Sequence, residues 1–232
     1  MKRQSIWNDF ITILLILWLA ACSSPSTPVD SIANEPYYQD SALLDAAWQL
    51  PVAQHYKGPF EYQINEAFCG PATVTNLLHS IDRPGFTQSN LFDHSKVSYW
   101  KVRTMGITLD EMADLIRDNA AAEITVLRDL TLAEFRAELE HANDPQFRYL
   151  INFNRRPLFG VSIGHHSPIG GYLKANDLVF VLDVLDQYRP FLVPTARLYE
   201  AMDIVDAETG KKRGLLRIGP LVDNAPKTLG SG

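Results

Sequence analysis

The spacing of apolar residues predicts helices in the first half of the folded chain. Ser41–Trp48 has the pattern of a short amphipathic helix that ends before Pro51. A second helix opens at Cys69, because the proline two positions later fits the first turn of a helix, where its missing N–H costs nothing. Capping boxes at Thr108–Glu111 and Thr131–Glu134 each precede another apolar stripe and predict two further helices.

The second half of the chain has the residue pattern of strands and turns. The first predicted strand is Phe147–Phe153. A hairpin follows, with strands His166–Leu173 and Leu178–Val184 joined by the turn Lys174–Asp177. A helix at Thr195–Val205 and a last strand at Arg213–Ile218 complete the predicted elements. Helices followed by an antiparallel sheet indicate an α+β fold. We therefore expect one folded domain with two lobes over residues 41–219, and a frayed tail over residues 220–232.

The chain begins with a segment that has the organisation of a signal peptide. Lys2 and Arg3 precede an apolar run, Phe10–Ala21, whose twelve residues are too few to span a bilayer core of about 30 Å. The run ends in Leu-Ala-Ala-Cys at Leu19–Cys22, which resembles the bacterial lipobox. That resemblance implies that residues 1–21 are removed and that Cys22 carries a lipid.

Residues 22–40 are expected to form the lipidated N-terminus and a flexible tether, because Ser23–Pro28 offers nothing to bury. By the sorting convention for such lipoproteins, Ser23 favours the outer membrane of a bacterial cell envelope, with the domain facing the periplasm. The chain has 21 basic and 27 acidic residues, a net charge of −6. This balance argues against nucleic acid as a partner and makes the lipid, rather than charge, the expected link to the membrane.

The other cysteine of the chain, Cys69, stands where a predicted helix begins. Backbone N–H groups and the helix dipole favour the nucleophilic thiolate there, although free cysteine also packs in cores as a small apolar side chain. A cysteine nucleophile needs a base and a group that orients the base, and His165 or His166 with Asp183 supply both. Adjacent residues of a strand face opposite ways, so only one of the two histidines can meet Cys69, and spacing leaves open which one.

Gln63, six residues before Cys69, is a candidate to donate its side-chain amide to a developing oxyanion. A solvated loop glutamine is the alternative and is favoured by the position alone. No spacing typical of metal ligands is present, so a metal site is left unassigned. Other acids and histidines are expected at turns, at the surface or half-buried, namely Asp177, Asp186, Asp203, His79 and His94.

Several segments together resemble one known family. Gln63–Gly70 looks like a nucleophile segment, Gly164–Tyr172 is similar to a Gly-His-(apolar)-Ser-Pro-Ile-Gly-Gly-Tyr motif, and Leu182–Val184 to a Leu-Asp-Val motif. Further matches are Gly106–Thr108, Val193–Pro194, Glu200–Asp203 and Thr209–Gly214. All of these belong to phytochelatin synthases, the glutathione γ-glutamylcysteinyltransferases of the papain-like cysteine peptidase superfamily. The resemblance extends over residues 62–218.

The resemblance implies a papain-like two-lobed fold, with the nucleophile in a helical lobe and the histidine and aspartate in an antiparallel sheet lobe. It makes Cys69 the nucleophile, Asp183 the orienting acid and Gln63 the oxyanion donor. It makes His165 the general acid and base, because the family motif has an apolar residue where His166 stands. In the implied reaction, the cysteine attacks the Cys–Gly amide of glutathione, and the resulting thioester passes to a second glutathione or to water.

The resemblance also implies substrates and partners, and this chain differs from the family pattern in two places. Glutathione and its cadmium or zinc thiolates are the expected substrates, with no tightly bound cofactor, and a homodimer is left open. No cysteine follows Cys69, so the cysteine-rich C-terminal domain of plant members is not expected. Where the family has a basic pair, this chain has Asp186, which would repel a glutathione carboxylate, so we expect hydrolysis to exceed polymer formation.

Two other interpretations remain open from the sequence. A papain-like envelope peptidase that cleaves another peptide is the first, because Cys-Gly-Pro-Ala at a helix start also occurs in bacteriocin-leader peptidases. An inactive scaffold that binds metal or thiols is the second. It predicts that a member of the catalytic set is missing, whereas Gln63, Cys69, His165 and Asp183 are all present.

Overall fold

The computed structural model describes residues 30–221, in which a six-stranded antiparallel sheet carries helices on both faces. The helices are α1 (Ser41–Trp48), α2 (Pro51–Gln54), α3 (Cys69–His79), α4 (Tyr99–Met105), α5 (Leu109–Asn119), α6 (Leu132–His141), α7 (Arg156–Phe159) and α8 (Thr195–Met202). The strands are β1 (Ile124–Leu127), β2 (Arg148–Asn154), β3 (Gly164–Leu173), β4 (Leu178–Val181), β5 (Phe191–Pro194) and β6 (Gly214–Ile218). None of the helices within these residues combines the length and apolar character needed to cross a bilayer.

The sheet has the strand order β1-β6-β2-β3-β4-β5. Strand β2 lies near its centre, and every one of its residues is buried. Its side chains alternate between two cores, because successive residues of a strand point to opposite faces. Tyr149 and Ile151 pack with α6 and α8, whereas Leu150 packs with α3 and α5. The α+β prediction is confirmed, and the central strands are held between layers of helix.

The predicted helix starts are confirmed where a local signal exists. Helix α1 has its predicted bounds, and α3 begins at Cys69. Both capping boxes are formed: Thr108 and Thr131 each accept a hydrogen bond from the backbone of the third helical residue, whose glutamate reaches back to the cap.

Five of these helices and strands have no counterpart in the prediction, namely α2, α4, α7, β1 and β5. The edge strands β1 and β5 are four residues long, which is too short for alternation to distinguish them from loop. Helix α4 lacks a clear apolar stripe, since only Val102 in it is buried.

Two predicted elements end earlier than expected. The strand predicted to reach Val184 ends at Val181, because the Val184 carbonyl leaves the ladder and accepts the backbone N–H of Gln63 at 2.8 Å. The helix predicted to reach Val205 ends at Met202, and Val205 instead pairs with Lys212 in an isolated bridge.

The tether prediction is wrong for the part of residues 22–40 that the structure describes. Ile32 and Tyr38 are buried, at 1% and 7% exposure, in the core that contains α6 and α8. The Tyr38 hydroxyl also donates to the Tyr188 carbonyl at 3.1 Å. The folded domain therefore begins before residue 41. The predicted signal peptide, the Cys22 lipid site, the first part of the tether and the tail from residue 222 lie outside the described residues.

Candidate active site

Helix α3 carries Cys69 at its first residue and is packed tightly against β3. A side chain at Gly70 would overlap Ile107, so only glycine allows this approach. The carbonyl oxygen of Ile107 accepts a hydrogen bond from His166 Nε2 at 2.9 Å, which ties the same contact to β3. No side chain caps the N-terminus of α3, so first-turn N–H groups stay free to face a developing charge.

The Cys69 thiol is buried at 8% exposure and lies in hydrogen-bonding reach of the His165 side chain. Burial by itself raises the pKa of this thiol. The hydrogen bond and charge of His165, the backbone N–H of His166 and the charge of Arg155 outweigh burial, so the pKa is lowered overall. The surroundings therefore favour the thiolate, which is the nucleophilic form.

His165 is held in place by Asp183. Its Nε2 donates to Asp183 Oδ1 at 3.0 Å, which leaves Nδ1 as the nitrogen available to Cys69. Burial lowers the pKa of His165, but the Asp183 carboxylate and the hydrogen bond with Cys69 raise it by a larger amount. The pKa of His165 is therefore raised overall. The edge of this ring packs against Phe153, with ring centres 5.5 Å apart. The raised pKa of His165 and the lowered pKa of Cys69 together favour a thiolate–imidazolium pair.

Asp183 is fully buried and fully bonded. Arg155 Nη2 donates to Oδ1 at 2.9 Å and to Oδ2 at 2.8 Å, and the backbone N–H of Leu185 donates to Oδ1 at 2.8 Å. Burial raises the pKa of this carboxyl, but His165, Arg155 and the Leu185 N–H lower it overall. Asp183 is therefore an anion that accepts hydrogen bonds and orients His165.

Arg155 is a residue of the site that the sequence analysis did not single out. It follows β2 directly and contacts an aspartate 28 positions later, at 3% exposure. No motif marks such a pair. The available signal was the position itself, because the end of an antiparallel neighbour of β3 must lie beside the start of β3, where His165 stands.

His166 has a structural place beside the site. Its ring is buried at 2% exposure and bonds to Ile107, while its backbone N–H serves Cys69. Burial, with His165 and Arg213 nearby, lowers the pKa of His166 to about 3. The imidazole is therefore neutral at pH 7. The side chain brought to Cys69 is that of His165.

Acidification is expected to destabilise the protein through His166. An unfolded His166 takes up a proton below its ordinary pKa of 6.5, whereas the folded one stays neutral down to about 3. The unfolded state thus binds more protons, and stability should fall by about 3 kcal/mol between pH 7 and pH 4.5. Urea unfolding at a series of pH values would measure this slope.

The matched control for that measurement is an exposed histidine. His166→Gln should flatten the slope, whereas His94→Gln, at an exposed position, should leave it as in the wild type. Equal slopes for wild type and His166→Gln would contradict the assignment of the effect to His166.

Gln63 lies beside the loop that follows Asp183, and one N–H of its side-chain amide is used within its own loop. Its backbone N–H binds the loop after Asp183, and its side-chain Nε2 donates to the Asn65 carbonyl at 2.9 Å. The Gln63 Oε1 is buried, and no group among residues 30–221 donates to it. A primary amide has two N–H donors, so one remains for an oxyanion, and that role stays a prediction.

Arg213 places a second buried cation near the nucleophile. Its Nη1 donates to Asn152 Oδ1 at 2.9 Å and pairs with Asp206 at 3.1 Å. The negative charge of a Cys69 thiolate raises the pKa of Arg213, although burial lowers it overall. A side chain at Gly164 would run into the guanidinium, so glycine there leaves room for this arginine.

The arrangement fits acyl transfer through a thioester. A thiolate, an imidazolium, an oriented carboxylate and free helical N–H groups are the parts that cysteine peptidases use. Within residues 30–221, no three His, Cys, Asp or Glu side chains are grouped to hold a metal ion. Cys69 is the free cysteine of this part of the chain.

Known proteins match this chain over the same region. It is 35% identical over 182 residues to glutathione γ-glutamylcysteinyltransferase 3 of Lotus japonicus, which covers 73% of this chain and 38% of that protein. It is 33% identical to glutathione γ-glutamylcysteinyltransferase 1 of Triticum aestivum, over 68% of this chain and 34% of that protein. The chain thus spans less than half the length of these curated relatives.

A solved structure and a family model complete the comparison. The peptidase domain of Streptococcus ComA, a bi-functional ABC transporter, has a TM-score of 0.46 at 15% identity, over 69% of this chain and 96% of that one. The phytochelatin synthase family model matches residues 38–215, a span that contains Cys69, His165, Asp183 and Arg155. The chain therefore belongs to the phytochelatin synthase family.

Proposed function

We propose that the protein cleaves the Cys–Gly amide of glutathione through a thioester on Cys69. The observation that carries this proposal is the contact of Cys69 with a buried histidine that Asp183 orients, inside a phytochelatin synthase match. The relatives named glutathione γ-glutamylcysteinyltransferase support glutathione as the substrate.

In the first half-reaction, the Cys69 thiolate attacks the carbonyl carbon of the cysteine residue of glutathione. The oxyanion that forms faces the free N–H groups at the start of α3. The His165 imidazolium then gives its proton to the glycine nitrogen as the C–N bond breaks. Glycine leaves as a neutral amine, and a γ-glutamylcysteinyl thioester remains on the sulfur.

In the second half-reaction, the neutral imidazole of His165 takes a proton from the attacking group. That group is water or the amino group of a second glutathione. It attacks the thioester carbonyl, and the Cys69 thiolate leaves. Water gives γ-glutamylcysteine, and glutathione gives the shortest phytochelatin. Asp183 stays an anion throughout, because Arg155, His165 and the backbone N–H of Leu185 all donate hydrogen bonds to its carboxylate.

The charge of the site suits an anionic peptide. Arg213 is a buried cation close enough to respond to a Cys69 thiolate, and its Nε meets no acceptor among the described residues. A substrate carboxylate placed there would satisfy that donor and gain a charge-assisted hydrogen bond. Glutathione has two carboxylates, whereas a neutral peptide would leave the donor buried and unpaired.

We propose that water is the main acceptor in this protein. Asp186 is exposed on the loop that follows Asp183 and lies near the Tyr62 hydroxyl. A carboxylate there repels an incoming anionic acceptor by roughly 1 kcal/mol, or about fivefold. Mass spectrometry of the products from glutathione, with and without cadmium, should therefore find γ-glutamylcysteine in several-fold excess over phytochelatins.

A pair of variants tests the electrostatic cause. Asp186→Arg replaces a repulsion by an attraction of similar size, about 2 kcal/mol in all, and should raise the ratio of phytochelatins to γ-glutamylcysteine roughly 30-fold. Asp93→Arg makes the same change of charge at an exposed acid outside the site and should leave the product ratio unchanged. Phytochelatins as the main product of the wild type would contradict the proposal. Cleavage of other peptides with no action on glutathione would favour an envelope peptidase.

Metal and location are parts of the same proposal. Cadmium or zinc would enter as a thiolate complex of glutathione, hence as substrate, without a resident cofactor. The lipobox-like segment at Leu19–Cys22 supports a lipid anchor at the outer membrane, with the domain in the periplasm. Mass spectrometry of the mature N-terminus tests this: an acylated Cys22 supports the anchor, and a chain that still begins at Met1 overturns it.

A further inference from the structure

Arg155 makes the closest charged contact of the whole site. One of its nitrogens, Nη2, donates to both oxygens of Asp183, at 2.9 Å and 2.8 Å. Both partners are withdrawn from water, with 3% and 0% of their side chains exposed. A buried pair of this kind keeps its charges only when the hydrogen bonds are well formed. The contact is therefore a buried, hydrogen-bonded ion pair inside the site and not a surface ion pair.

Aromatic rings fix the orientation of the guanidinium. The Arg155 side chain lies 4.0 Å from the ring centre of Tyr188, which belongs to the loop that follows Asp183. The rings of Phe153 and Phe159 stand 5.7 Å and 5.4 Å away. Cation–π contacts of this length favour a charged guanidinium and restrict its rotation. The backbone N–H of Arg155 also binds the Ile163 carbonyl at 2.8 Å, two residues before His165.

Asp183 therefore stands between two groups that compete for its charge. Its Oδ1 accepts from His165 and from Arg155, while Oδ2 accepts from Arg155. Without the arginine, Oδ2 would lose the one donor that the described residues offer it, and a buried carboxylate in that state would rotate or take up a proton. Either change would misplace the hydrogen bond that aligns His165.

We propose that Arg155 is a positioning residue of the active site: it holds Asp183 ionised and oriented, so that His165 stays aligned with Cys69. The proposal concerns the nucleophile itself and rests on the proposed function only for the glutathione assay. It is separate from the role of the four residues that the sequence marks.

The proposal has a pH consequence. Arg155 lowers the pKa of the Cys69 thiol both by its own charge and through the alignment of His165. Loss of the arginine should therefore raise the pH at which the thiolate forms. The other titratable side chains that face this cluster are Arg213, His166, Tyr38, Tyr62 and Tyr188. Of these, Arg213 is charged at neutral pH, and the variants below leave it in place.

The test measures the rate at which iodoacetamide alkylates Cys69 over a series of pH values, followed by mass spectrometry of the Cys69 peptide from the full chain. Arg155→Met should raise the midpoint of thiolate formation by about one pH unit. It should also lower kcat for glutathione cleavage about 100-fold with little change in KM. Arg155→Lys keeps the charge, so its midpoint should stay near that of the wild type, although kcat should fall.

The control is a second buried arginine in the same sheet. Arg148 lies at the far end of β2, is 2% exposed, and bonds to Ser80 and backbone carbonyls rather than to a carboxylate. Arg148→Met should cost stability without moving the midpoint. If Arg155→Met fails to fold, the lysine variant decides: a midpoint unchanged together with an unchanged kcat overturns the proposal.

A midpoint that is the same in wild type and Arg155→Met also overturns the proposal, whatever the loss of activity. Failure of the proposed function has a different result. If the wild type does not cleave glutathione but its alkylation midpoint still depends on Arg155, then the substrate is wrong and the role of Arg155 stands.

Discussion

Replacing Cys69 with alanine is expected to abolish cleavage of glutathione, with kcat lowered by about 10⁴-fold or more. Within residues 30–221 the thioester has no other thiol on which to form, and Cys69 is the sulfur that lies beside His165 at the start of α3. The remaining N–H groups and cations still bind substrate, so KM should change far less than kcat. Release of glycine, followed by mass spectrometry, measures the loss.

The matched control for that variant is the other cysteine of the chain. Cys22→Ser removes the cysteine outside the described residues, and with it the proposed lipid site, and should leave the kcat of the detergent-solubilised protein unchanged. Full turnover by Cys69→Ala would revive the interpretation of the protein as a scaffold that binds metal or thiols without reacting. Loss of activity in both variants would point to an effect of handling rather than of catalysis.

Asp183→Asn is expected to damage both activity and stability. The amide cannot balance the charge of Arg155, and breaking a buried pair in this way costs about 3–5 kcal/mol. The amide also turns an N–H donor toward His165 or Arg155. The imidazole is then no longer held in the tautomer that leaves Nδ1 free for Cys69, and kcat should fall by about 10²–10⁴-fold. Urea unfolding and glycine release at pH 7 measure the two effects.

Asp177→Asn is the control for that variant. Asp177 pairs with Arg136 at the surface, with 44% and 41% of their side chains exposed. Its backbone has a positive φ of 51°, which asparagine accepts. This change should cost no more than about 1 kcal/mol and leave kcat intact. Equal stability losses at the two aspartates would show that burial of the Asp183 pair contributes nothing.

Much of the helical half of the protein follows from local signals in the sequence. The capping boxes of α5 and α6 satisfy backbone donors within four residues, so their effect can be predicted without the fold. The edge strand β5 depends instead on partners elsewhere: it exists because β4 offers it a ladder. The same reason explains the tether prediction, since Ile32 is buried only because the core of α6 and α8 is there to receive it.

The site shows the same division. The position of Cys69 at a helix start is local and could be predicted, and a family motif was needed to choose His165 over His166. Arg155 could not be found in this way, because an isolated arginine gives no indication of which carboxylate it will meet. Its partner Asp183 is set by the register of β3 with its neighbours, and that register includes a bulge between Ile169 and Gly171.

The contact at Gly70 means that the entropy lost in bringing the reacting groups together is lost during folding, before any substrate binds. Because Ile107 fills the space above this glycine, and binds His166 of β3, helix and sheet cannot slide apart beside Cys69 without losing core packing. The separation of sulfur and imidazole is thus set during folding and is not rebuilt in each turnover. The reacting groups are pre-organised, and the entropy of bringing them together is absent from the chemical barrier.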